Sequence, residues 1–182
     1  MQQQLSTRHR PDPATDRHPT GPDLRVVTTP RSGRVFRSLG IMTAALVIVG
    51  GYVHWCLYRH GYRTIPKIGT GFLLQVLASA AVASVLLAGA GRIARLTHVT
   101  DHLARTVTGL AAVALAAGTL VAFALTRRPG GLFNFQERGL QPSPQALIAL
   151  VAEVGVLLVA GASLVTDWTM QRTTHKAGPL DL

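Results

Sequence analysis

Charge is the property this sequence has least of. Of its 182 residues 14% are Asp, Glu, Lys or Arg, where an average soluble domain carries about a quarter, and that excludes an ordinary water-exposed fold. Acids are the rarest, eight in all, and lysines number two, Lys67 and Lys176, against 16 arginines. The single cysteine, Cys56, excludes an internal disulfide, and no Cys/His cluster has the spacing of a structural zinc site. Reaction motifs are missing as well: there is no P-loop, no HExxH and no GxSxG, so known enzyme chemistry has no foothold and a non-enzymatic protein is expected.

What is present is apolar and comes in blocks. Four stretches of about 20 residues each carry almost no charge, enough for each to cross a bilayer. They run approximately over 39–58, 68–91, 103–126 and 146–166, joined by short links, RHGYRTIPK and RIARLTHVTDH, and one longer link, RRPGGLFNFQERGLQPSPQ. Short links make consecutive helices antiparallel neighbours, and the expected fold is an all-α, up-down-up-down transmembrane four-helix bundle over 35–170. Residues 1–34 hold five of the ten prolines and no apolar period, which predicts a disordered tail; 171–182 form a short second tail. The first block follows a basic stretch, but it is too long for a signal peptide and ends without a small-x-small site, so it reads as a retained anchor.

A formal charge of +10 raises nucleic acid as a partner. The arginines, however, flank the apolar blocks, where they act as topology signals and lipid-phosphate contacts, so membrane lipids are the expected partners and nucleic acid is not. With the amino terminus inside, twelve Lys and Arg residues fall on inner segments and six on the two outer loops (Arg59, Arg63, Lys67, Arg127, Arg128, Arg138). The bias places both termini in the cytoplasm of an inner membrane. Small residues every fourth position, Ala114, Gly118 and Ala122 on the third span and Ala80, Ser84 and Ala88 on the second, predict packing seams within the bundle, and a homo-oligomer or a partner membrane protein is also expected.

Three strongly polar side chains interrupt the spans: His54, Gln75 and Glu153. Antiparallel connectivity and 1.5 Å per residue put them about 6, 10 and 10 Å below the outer interface, in one layer. Each has small residues three or four positions away, such as Gly50 and Gly51 beside His54 and Ala149 beside Glu153, as suits a helix contact. They are expected to converge between helices, with Tyr58 on the same stripe. An ionised acid at that depth costs several kcal/mol unless it has a partner or stays protonated, so Glu153 either fixes helix register or holds a ligand, cation or proton with His54.

The outer loops surround this layer. Arg59, His60 and Arg63 in the first offer a cationic rim, and Phe133, Phe135 and Arg138 in the second offer a lid or a tether lying on the membrane. No cofactor is implied: a bis-histidine haem needs two facing histidines at matched depth and only His54 lies in a span. His98 and His102 share an exposed basic loop and are not read as a metal site. A quinone near His54, Tyr58 and Phe72 is the weakest ligand reading.

The strings HGYRTIPKIGTGFLLQ and LFNFQERGLQPSPQALIALVAE, entering the second and fourth spans, resemble segments of small four-span bacterial membrane proteins of uncharacterised function. The resemblance covers 40–166 and implies that the outer loops, Gln75 and Glu153 belong to a recurring pattern; it brings no activity with it. Two functions follow as expectations. The first is a non-enzymatic bundle that binds lipid or packs with a partner; the alternative is a small transporter or proton- or cation-coupled binding protein using Glu153 and His54.

Overall fold

A computed structural model describes residues 30–176. In chain order it holds α1 (Pro30–Arg59), a 3₁₀ turn at Tyr62–Thr64, α2 (Ile68–Ala88), α3 (Ala90–Thr97), α4 (Asp101–Thr126) and α5 (Gln145–Lys176). The long helices α1, α2, α4 and α5 are each apolar and long enough to cross a bilayer, which makes this an all-α, multi-pass membrane protein. α1 packs against α2 on one side and α5 on the other, and α4 closes the ring against α5 and, more loosely, against α2. The result is an up-down-up-down bundle whose most open seam lies between α2 and α4.

Helix-forming sequence explains where the ends differ from expectation. α1 opens at Pro30, a residue suited to a first turn, and nothing between it and Leu39 breaks the helix. Residues 30–34, expected in the disordered tail, are therefore helical, while 1–29 lie outside the described residues. α5 likewise passes the expected end at 166 and runs to Lys176, since DWTMQRTTHK contains neither Gly nor Pro; 177–182 again lie outside.

The expected second span also divides. Gly89, at φ 81 and ψ 145, adopts a backbone that only glycine takes without strain, and it separates α2 from α3. α3 occupies what reads as a loop, because eight residues directly after an apolar block are too short a run to set apart from a link. Thr100 then caps α4 by accepting from the Leu103 amide at 3.2 Å.

The core is made of alanines around two valines, one from α1 and one from α5. Val47, Ala83, Ala112, Ala116, Val156 and Ala160 are buried together. The expected seams fall elsewhere: Ala114, Gly118, Ala80 and Ser84 are exposed, and the buried positions are Ala112 and Ala116 on α4 and Ser79 and Ala83 on α2. α4 carries alanine on almost every face, so spacing alone does not select the inward one.

Candidate functional site

α1 presents Thr43, Val47, Gly50, Gly51 and His54 inward, all buried, and α5 presents Ala146, Ala149, Ala152, Glu153 and Val156. The glycines matter here by lacking side chains. A Cβ on Gly50 would stand 3.0 Å from Oε1 of Glu153, so the carboxylate occupies the space that glycine leaves. Glu153 is 5% exposed and His54 8%.

Gln75 completes the layer from α2. Its Nε2 donates to Oε1 of Glu153 at 3.4 Å, a long hydrogen bond, and Nε2 of His54 lies 3.7 Å from the same oxygen, outside bonding reach. The three polar groups expected in one layer do converge on one carboxylate oxygen. They do not satisfy one another: both ring nitrogens of His54 are buried without a hydrogen-bond partner, whereas buried polar atoms are normally bonded.

A cavity of about 230 Å³ opens from this layer toward the loops. That is just under the roughly 300–1,000 Å³ of sites for drug-sized ligands, so it suits a small or slender molecule. Its floor is His54, Gln75 and Glu153; its walls include Phe72, Phe123 and Leu150; its mouth carries Lys67, Arg127 and Glu137. Phe133 and Phe135 cover it from the long loop, and the Lys67 ammonium sits 5.2 Å from the centre of the Phe133 ring. An aromatic series joins cover to floor: Phe135 to Tyr62 at 5.8 Å, Tyr62 to Phe72 at 4.8 Å, and Phe72 edge-on to His54 at 5.3 Å between ring centres.

Arg127 and Glu137 hold the cover in place. The Arg127 guanidinium donates to the carbonyls of Gly139 at 2.7 Å, Phe123 at 3.0 Å and Gln141 at 3.0 Å, and its Nη2 lies 3.3 Å from Oε2 of Glu137. Glu137 accepts a short hydrogen bond from the Tyr62 hydroxyl, and its own amide donates to the Thr126 carbonyl at 3.0 Å. Burial first, and then the Glu137 hydrogen bond, push the Tyr62 phenol above its usual range. Gly69 lets the first loop fold back, since a Cβ there would lie 2.8 Å from the Tyr62 carbonyl oxygen.

Several residues expected at this site lie away from it. Tyr58 stacks on Trp55 at 6.0 Å, because Leu57, three positions after His54, takes the inward place. Arg59 packs over Trp55 at 5.7 Å, His60 donates from Nδ1 to the Cys56 carbonyl at 2.6 Å, and Arg63 and Arg138 are exposed outside the cavity lining. The rim is instead Lys67, Arg127 and Glu137, with Tyr62 behind it. Arg127 opens the long loop and Glu137 lies near its middle, and a lone acid in an arginine-rich loop was the available signal for their pairing.

At the other end His102 is also not free. Its Nδ1 lies 2.6 Å from Oδ2 of Asp167, an acid just past the expected fourth span that the polar-layer reasoning passed over. Among the described residues no three His, Cys, Asp or Glu side chains are grouped as a metal ion would need. Comparison with known proteins gives no match, whether to a family model, to a curated protein or to a solved structure.

Proposed function

We propose that this is a non-enzymatic protein of a bacterial inner membrane that holds one lipid-like amphipathic molecule in the cavity beneath Phe133 and Phe135. The observation that carries the reading is the lining: apolar walls leading to a buried carboxylate with one long hydrogen bond and an imidazole with none. An apolar chain ending in a hydroxyl fits, because one hydroxyl can donate to Glu153 and accept from His54. The excess of arginine at the end bearing both termini supports cytoplasmic termini, and the exposed Ala80 and Ser84 on α2 support association with a second copy or another membrane helix.

The test fills the cavity without disturbing its walls. Gly71 and Gly118 both line it, and a Cβ at either meets nothing within 4 Å. The Gly71→Leu, Gly118→Leu double variant should melt as the parent does and bind a fluorescent long-chain alcohol on the order of tenfold more weakly, matching about 1.4 kcal/mol of lost contact. Undiminished binding contradicts the reading.

A second reading, proton exchange during transport, is favoured by the 3.7 Å approach of His54 to Glu153. In reconstituted vesicles it requires a pH-driven flux that Glu153→Gln abolishes. Alcohol binding without such a flux leaves the binding reading alone.

A further inference from the structure

The end of the bundle bearing both termini contains a second and larger cavity, of about 640 Å³, with no connection to the argument for the first. It falls inside the roughly 300–1,000 Å³ range of small-molecule sites. Three guanidinium groups line it, Arg37 from α1, Arg92 from α3 and Arg105 from α4. One carboxylate, Asp167, lines it too, with Oδ1 3.7 Å from Nε of Arg105. Its other oxygen faces His102 at 2.6 Å. The second nearby acid is Asp101, whose Oδ2 would lie 3.8 Å from a Cβ on Gly91. Cations therefore exceed carboxylates in and around the space.

The arginines are not used up within the chain. Arg37 and Arg92 make no ion pair or hydrogen bond with another described residue, and Nε of Arg105 is a buried donor with no hydrogen-bond partner. The first turn of α3, at Ala90 and Gly91, lines the same cavity, and its opening amides have no acceptor inside the helix. Gly89 makes this arrangement by ending α2 early, so that α3 carries Arg92 onto the wall of the cavity that Arg37 lines from α1. Toward the middle of the bundle the lining becomes apolar with Leu86, a turn before Gly89, and Leu164, a turn before Asp167, while Phe36 lies under the Arg105 guanidinium at 5.5 Å.

We propose that this cavity binds the phosphate headgroup of an anionic phospholipid from the leaflet on the termini side, with the glycerol and first acyl carbons against Leu86 and Leu164. Arginine forks match phosphate oxygens, and cationic pockets between spans at a leaflet surface are suited to acidic headgroups. A free phosphate ion shares the headgroup chemistry but gains nothing from the apolar depth.

The experiment is native mass spectrometry of the full chain in mild detergent, titrated in turn with phosphatidylglycerol, phosphatidylcholine and inorganic phosphate. Phosphatidylglycerol should bind preferentially, and Arg37→Gln with Arg92→Gln should weaken it roughly thirtyfold, about fivefold per cation near the surface. Since both side chains are exposed, the melting temperature serves as the control for folding. The Gly71→Leu, Gly118→Leu variant should bind phosphatidylglycerol as the parent does, which separates this site from the outer one. Equal binding of the two lipids, an unchanged affinity in the double arginine variant, or displacement of the lipid by inorganic phosphate at comparable concentration would each overturn the proposal.

Discussion

At residue 51 two helices come closer than a side chain allows. A Cβ on Gly51 would lie 2.7 Å from the Cβ of Ser79, so α1 and α2 would have to separate to admit it. Overpacking of this kind costs about 1–3 kcal/mol, and Gly51→Ala should lower thermal stability in detergent by that amount. Adding Ser79→Gly should recover most of the loss; a double variant no better than Gly51→Ala would show that this approach is not what the glycine provides. One position along, Gly50 serves the carboxylate of Glu153 rather than the backbone of α2. Adjacent glycines thus do separate things, one setting how near two spans lie and the other where a buried acid rests. The sequence made the three polar groups and their small neighbours readable. It did not make Tyr58's outward turn readable, because a four-residue step overshoots a full helical turn and Leu57 competes for the same face.

Among the elements, the long loop between α4 and α5 depends on two side chains. The Tyr62 hydroxyl and the Arg127 guanidinium both reach Glu137, tying the first loop, the end of α4 and the cover together. Because the phenol's pKa is raised above its unfolded value of 10.0, the tie is fully present below pH 10 and is lost as pH climbs through the higher folded value. Protease cleavage of the loop should accordingly be slow and constant through neutral pH and accelerate in strong alkali. Tyr62→Phe should be cleaved faster already at neutral pH and lose that alkaline step, and a variant cleaved at the parent's rate throughout would mean the tie does not restrain the loop. The loop's length and its aromatics were visible in the sequence as a possible cover; its fastening was not, since pairing Tyr62 with Glu137 spans 75 positions. α3 was hidden for another reason: its eight residues follow directly on the apolar second span, and a run that short reads as a link.

Taken as a whole, the molecule places its two cavities at opposite ends of the bundle, and residues of α2 and α4 line both. These two helices meet most loosely, so the openings follow from how the ring of spans closes. Hydropathy alone revealed four spans and short links, and those dictate the up-down-up-down order. The inward faces were not legible where alanine and glycine surround a helix, as on α4. Nor was the pairing of His102 and Arg105 with Asp167, which lies past the apolar block and becomes a neighbour only when α5 continues beyond it. The cavity beneath Phe133 and Phe135 gives the bundle its proposed role, and the occupant can be located directly. A long-chain alcohol bearing a diazirine, photolysed with the protein in vesicles and mapped by peptide mass spectrometry, should label the cavity walls Phe72, Phe123 and Leu150. Labelling confined to the outward-facing Leu77, Val121 and Val151 would contradict it.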